Sequence, residues 1–215
     1  FRRVLFRSYF NHKLIELADN GVFFDIGANH GMYLEAMSNK ADKVYAFEPH
    51  PDNLKILYNI KLNNVEIIPG VASNIDGIEK LYVCSNPAGH GQHTLSRDIA
   101  INPMWGHNVN NYIEVNSYKL DTFVEQNNIS KVAAIKIDVE GAEHKVLEGA
   151  VNILKTHSPL ISLETHTPGH TDMIENILYD CGYTIWSLEG IIVNKLKEDA
   201  PYFCTRKLTT PFPFK

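Results

Sequence analysis

Four acidic residues, Asp25, Glu48, Asp138 and Glu164, each stand at the end of a short apolar run in this 215-residue chain. In an open parallel sheet, ligands bind beyond the carboxyl ends of the strands. Four carboxylates in register there describe a site for a cationic or polyhydroxylated ligand. The first of them opens a glycine turn, Asp25-Ile26-Gly27-Ala28-Asn29-His30-Gly31. Its GxxxG spacing departs from the GxGxxG that receives a pyrophosphate in dinucleotide folds, and Asp25 puts negative charge where a pyrophosphate would be repelled. A zwitterionic amino acid joined to a cationic sulfonium tolerates that charge. Glu48 follows the turn by roughly twenty residues, the position from which a carboxylate accepts hydrogen bonds from ribose hydroxyls. That feature is common to NAD sites and to sites for other adenosyl ligands.

Short apolar runs alternate with amphipathic stretches, the pattern of a parallel sheet with crossover helices. Val22 to Phe24, Lys43 to Phe47, Val65 to Ile68, Val132 to Ile137 and Leu160 to Leu163 read as strands. Helices are expected from Gly31 to Asn39, from Pro51 to a close at Asn63-Asn64, through Val146, Leu147, Ala150 and Leu154, and through Ile174 to Cys181, stopped by Gly182. Tyr183 to Leu188 and Tyr202 to Thr205 read as two closing strands. The rhythm breaks between Asp76 and Ser117, where Glu79 to Cys84 and Tyr112 to Val115 alternate like strands around a variable loop at about 84–111. Loops of that length inside a domain are usually functional. Gly89-His90-Gly91-Gln92-His93 fits an acceptor-binding lid with glycine hinges as well as it fits a plain polar loop. Trp105 and Trp186 read as packing residues, although Trp105 lies where it could stack on a ligand.

The formal charge of −5 and the absence of a basic tract argue against nucleic acid as the main partner. No apolar run approaches the ~20 residues of a membrane span. Cys84, Cys181 and Cys204 form no CxxC pair, as expected of reduced thiols in a cytoplasmic protein. Residues 1–8, Phe1 to Ser8, look like a translated sequencing adapter and are set aside as a non-native tail. Omitting Arg2, Arg3 and Arg7 takes the charge from −5 to −8. Residues 9–215 then form a single domain. Oligomeric state is not legible.

Three blocks carry a family resemblance: Asp25-Ile26-Gly27-Ala28-Asn29, Phe47-Glu48-Pro49-His50-Pro51, and Ile135-Lys136-Ile137-Asp138-Val139-Glu140-Gly141-Ala142-Glu143. With Asn53, Asn59, Leu120-Asp121, Val146 to Ala150 and Glu164-Thr165-His166, they resemble FkbM-type methyltransferases in order and spacing. The resemblance implies a class I Rossmann-like α/β fold with a mostly parallel seven-stranded sheet and helices on both faces. It also implies S-adenosyl-L-methionine as methyl donor and O-methylation of a sugar, glycan or hydroxylated metabolite. By the same resemblance Asp25, Gly27, Ala28, Asn29 and Gly31 border the methionine half of the donor, and Glu48 and Pro49 its ribose. Ala72, Ser73 and Asn74, after Val71, border the adenine, although an acidic residue is commoner there. Asp138 and Glu140 face the reaction centre.

Methyl transfer is an in-line displacement with the acceptor oxygen ~3 Å from the methyl carbon, and an alcohol needs a group to take its proton. Asp138 and His166 are the candidates, His166 having the more suitable unperturbed pKa of ~6.5. A histidine after a strand is also often a hydrogen-bonded framework residue. Asp138, Glu164 and His166 suit Mg²⁺ or Mn²⁺ chemically, but no spacing demands an ion and none is expected. Two alternatives remain: an NAD-dependent oxidoreductase or epimerase, which would want GxGxxG, and a catalytically inactive binding module, which would lack the acids.

Overall fold

A computed structural model describes residues 13–84, 93–101, 107–166 and 170–206. In chain order the elements are β1 (Val22–Ile26), α1 (Leu34–Ser38), β2 (Lys43–Glu48), α2 (Pro51–Leu57), β3 (Val65–Pro69), β4 (Val71–Ala72), β5 (Gly77–Cys84), α3 (Arg97–Ala100), β6 (His107–Tyr118), α4 (Leu120–Gln126), β7 (Val132–Ile137), α5 (Glu143–Glu148), α6 (Val151–Thr156), β8 (Leu160–Thr165), α7 (Thr171–Asp180), β9 (Thr184–Trp186) and β10 (Ala200–Thr205). Seven strands form the main sheet in the order β3-β2-β1-β7-β8-β10-β9. The first five are parallel, and β10 runs antiparallel to both neighbours. This is the mostly parallel seven-stranded α/β sheet expected.

Side chains alternate across a strand, so one sheet feeds two cores. Phe24, Ile26, Tyr45 and Phe47 enter the core under α4, α5, α6 and α7, while Phe23, Val44 and Ala46 enter the core shared with α1 and α2. Phe123 of α4 stands edge-on to Tyr45 and to Phe47, 5.1 Å between centroids in each case, which fixes that helix over the centre of the sheet. Trp186 is buried in the second core, the packing role expected of it.

The irregular region between Asp76 and Ser117 is a second sheet of order β4-β6-β5, in which the two alternating runs pair antiparallel. Its core of Val71, Leu81, Leu95 and Val115 packs on Ala142, which immediately precedes α5. Gly89 to Gln92 and Trp105 lie outside the described residues, as does the 1–8 tail. No helix among the described residues is long and apolar enough to cross a membrane. Cys84, Cys181 and Cys204 are buried thiols.

Helix boundaries differ from expectation for local reasons. The first helix begins late because Gly31 N donates to Ala28 O and Leu34 N to Gly31 O, two tight turns in place of helix. The second ends at Leu57, and Asn64 instead donates to the carbonyls of Ser38 and Ala41. The helix after Asp138 is divided into α5 and α6 around Gly149. A Cβ at Gly149 would lie 1.9 Å from the Ser73 carbonyl oxygen, so the chains meet there with no room for a side chain. The Asp121 carboxylate then caps α6 from outside, accepting from Asn152 N and Ile153 N at 2.9 Å each. Gly149→Ala should therefore destabilise the protein by about 1–3 kcal/mol through overpacking. A thermal melt should show Tm lowered by roughly 2–12 °C, and an unchanged Tm would show that the contact yields freely.

Candidate active site

Parallel pairing of β2, β1, β7 and β8 aligns their carboxyl ends, which puts Glu48, Asp25, Asp138 and Glu164 along one sheet edge. Asp25 is fully buried and lies opposite Lys136 of β7 in register. The Lys136 ammonium donates to Asp25 Oδ1 at 2.9 Å and to the Gly27 carbonyl at 3.0 Å, and lies 4.0 Å from Asp138 Oδ2. Burial pulls the Lys136 pKa down, but the charges of Asp25 and Asp138 outweigh it and leave it raised. Asp25 Oδ2 and Asn29 Oδ1 are buried acceptors with no hydrogen-bond partner among the described residues.

Gly27 holds a φ of +80°, and a Cβ there would stand 2.0 Å from the Asp138 carbonyl oxygen. The first turn can lie against the end of β7 only because that position is glycine. Glu48 ties this turn to the next: Oε2 accepts from Asn29 N at 2.9 Å, and Oε1 from His50 N at 2.8 Å and from the Asn53 amide at 3.1 Å. Burial raises the Glu48 pKa against those hydrogen bonds. A carboxylate offers about four lone-pair directions, so Oε2 can still accept one donor.

Ala72 lies in β4 beside the end of β2, where Gly70 N donates to Glu48 O. Ser73 is fully buried, and the Asn74 amide donates to Glu148 at 2.7 Å. At the far side of Glu48, the His50 ring stacks on His93 with centroids 3.9 Å apart, so the start of the described segment after the loop lies against the second turn.

Asp138, Glu140 and His166 form the other half of the site. His166 is buried, and its Nδ1 is 2.8 Å from Glu143 Oε1. Its Nε2 stands 3.6 Å from Asp138 Oδ1, 3.8 Å from Glu140 Oε2 and 3.7 Å from Glu164 Oε1. Burial pulls the imidazole pKa down, but the Glu143 hydrogen bond and the charges of Glu140, Glu143 and Asp138 push it up to about 10. Glu140 sits at φ +52°, a left-handed conformation uncommon outside glycine, and its carbonyl accepts from the Thr94 hydroxyl at 2.6 Å. One ligand atom from each of Asp138, Glu140 and His166 lies within 4.8 Å of the others, so these three could hold a metal ion.

The structure thus gathers Asp25, Gly27, Ala28, Asn29, Gly31, Glu48 and Pro49 into one turn pair, and Asp138, Glu140 and His166 into one cluster. Lys136, Glu143 and Thr94 were not singled out from sequence. A lysine alone in an apolar strand was a usable signal for Lys136; Thr94 had none.

A family model described as Methyltransferase FkbM domain matches residues 25–185. The hexuronic acid methyltransferase AglP of Haloferax volcanii is 31% identical over 147 residues, which are 66% of this chain and 55% of that protein. A probable ribosomal RNA small subunit methyltransferase A of Thermococcus onnurineus is 39% identical over 79 residues, 35% of this chain and 28% of that one. The crystal structure of methyltransferase FkbM from Methylobacillus flagellatus is similar with a TM-score of 0.53 and 17% identity, covering 87% of this chain and 44% of that one. That likeness shows the fold. The chain spans about half the length, or less, of each of these relatives.

Lys136→Met strands Asp25 as a buried unpaired charge and should cost about 3–5 kcal/mol in urea unfolding, while the added Asp25→Asn should recover much of that. If the double variant is no more stable than the single, the pair is not the cause. For His166, the folded pKa lies above the unfolded ~6.5. Its protonation therefore stabilises fully below pH ~6.5 and is lost as pH rises through about 10. In metal-free buffer, NMR should find the ring still protonated at pH ~8, and Glu143→Gln should lower its pKa.

Proposed function

The chain belongs to the FkbM methyltransferase family, and we propose that it uses S-adenosylmethionine to methylate a hydroxyl of a sugar, glycan or similarly hydroxylated acceptor. The observation that carries this reading is the pair of orphan acceptors, Asp25 Oδ2 and Asn29 Oδ1, buried beside a turn that glycine lets pack against the end of β7. Buried acceptors without donors are costly unless a ligand supplies them, and the α-ammonium of the donor is a cationic source of N–H groups. The remaining lone pair of Glu48 suits a ribose hydroxyl. Bound there, S-adenosylmethionine would supply an electrophilic methyl group, and its transfer to oxygen leaves a neutral thioether.

The residues of the chain do the rest. Lys136 holds Asp25 in place and neutralises part of its charge. Asp138 and Glu140, 25% and 22% exposed, face the open side and are placed to receive the acceptor's proton. His166, charged by its carboxylate neighbours, serves in this reading to hold those carboxylates rather than to take the proton. A sugar acceptor is supported by the hexuronic acid methyltransferase among the relatives and by a net charge of −5, which disfavours an RNA backbone. Three buried thiols fit a reducing, cytoplasmic setting.

Calorimetric titration tests the donor: S-adenosylhomocysteine should bind and NAD should not. Asn29→Gly keeps the left-handed backbone but removes Oδ1, and should weaken binding about tenfold or more, the worth of one hydrogen bond to a charged group. Binding of NAD in preference to the homocysteine product would overturn the reading. Radiolabelled methyl transfer to uronic acids against ribosomal RNA fragments then tests the acceptor class.

A further inference from the structure

We propose that Asp138, Glu140 and His166 form a divalent-cation site, with Glu164 at its rim and Glu143 orienting the imidazole. His166 is only 8% exposed, and its Nε2 points into the carboxylates without a hydrogen-bond partner among the described residues. Its distances of 3.6, 3.8 and 3.7 Å to Asp138, Glu140 and Glu164 are too long for hydrogen bonds, which run to about 3.2 Å. They match the ~3–4 Å between ligand atoms that share one ion at bond lengths of ~2.0–2.3 Å.

The opposite ring nitrogen supplies the second argument. Nδ1 bonds Glu143 Oε1 at 2.8 Å, and Glu143 Oε1 also accepts from Gly141 N at 3.0 Å. A carboxylate on one ring nitrogen fixes the tautomer that leaves the other free to ligate, the arrangement that supports metal-bound histidines generally. The third argument is charge. Asp138, Glu140, Glu143 and Glu164 surround one imidazole, and Lys136, 4.0 Å from Asp138 Oδ2, is bonded to Asp25 and Gly27. The strained backbone of Glu140, held by Thr94, turns its side chain toward the same point. One imidazole with several carboxylates suits Mn²⁺ or Mg²⁺ better than a softer ion.

The half-exposed side of the cluster leaves coordination positions open to an acceptor oxygen. With the ion bound, Asp138 and Glu140 would ligate it instead of taking the acceptor's proton, and a hydroxyl on the ion would release that proton to water more readily. The oxygen pair would then take the methyl carbon while the carbon–sulfur pair returns to sulfur. That use of the ion rests on the methyltransferase reading; the site itself does not.

The test is Mn²⁺ titration of the full chain followed by electron paramagnetic resonance, without donor or acceptor. One tightly held Mn²⁺ per chain with coupling to a single imidazole nitrogen is expected. Glu140→Gln and His166→Asn should each weaken it at least tenfold, and Glu143→Gln by roughly 10–100-fold, with thermal melts checking that each variant folds. If a variant fails to fold, the nitrogen coupling in the wild-type chain still decides. Absence of Mn²⁺ binding, absence of nitrogen coupling, or equal binding by the folded variants would overturn the proposal, the last marking adventitious binding to surface carboxylates. Because the titration with S-adenosylhomocysteine is separate, a chain that binds the nucleoside but no Mn²⁺ loses the cation site and keeps the methyltransferase reading.

Discussion

Lys136 carries a charge into the middle of a parallel sheet, and the geometry around it follows from the need to keep that charge solvated by protein. An unpaired ammonium at 3% exposure would cost several kcal/mol. The partners it finds are the carboxylate opposite it in register and the carbonyl of the first turn. The register of β1 against β7 is thereby specified by charge as well as by apolar alternation, since a one-residue slip would send Lys136 to the opposite face. The same pair uses one oxygen of Asp25 and leaves the other unmet. A structural interaction therefore both builds the turn and leaves a buried acceptor beside it.

The two halves of the site differ in how their charge is balanced. Around Asp25 the balancing cation is covalently part of the chain, so a ligand need supply only donors to Asp25 Oδ2 and Asn29 Oδ1. Around His166 four carboxylates stand within 3.8 Å of the ring nitrogens, and against burial the Glu143 hydrogen bond and the charges of Glu140, Glu143 and Asp138 carry the imidazole pKa up to about 10. His144, at the start of α5, shows what burial does without such neighbours. Its pKa falls to about 4, pulled down by desolvation and by the nearby charges of His170 and Lys145. Two buried histidines thus titrate in opposite directions, because one faces carboxylates while the other is desolvated against a second histidine ring.

Much of the frame was legible before any coordinates. The five parallel strands and their acidic ends follow from apolar runs of strand length and from where open sheets bind ligands, and β7 begins and ends where the pattern places it. What escaped was set by tertiary contact. The division of α5 from α6 depends on a carbonyl of β4's successor pressing on Gly149, and its cap comes from Asp121, thirty-one positions before the first amide it serves. The pairing of Lys136 with Asp25 spans 111 positions, and that of Glu143 with His166 spans 23. Sequence named the acids and the histidine, but their mutual distances decide whether His166 is a base, a framework cation or a ligand. The spacing of His166 from Asp138 along the chain carries no such information.

The two halves of the site are held by different parts of the fold. The donor-side turns are fixed by the main sheet: Gly27 is pressed on the end of β7, and Glu48 clamps Asn29 and His50. The cluster side is held partly from outside it, by Thr94 on the Glu140 carbonyl and by Lys145 on Glu79 of β5 at 2.6 Å. The segment at Thr94 thus holds Glu140 directly, and through the His93 ring it also bears on His50, whose amide donates to Glu48. In the proposed reading the second sheet thus bears on the acceptor side, and the register between β1 and β7 on the donor side.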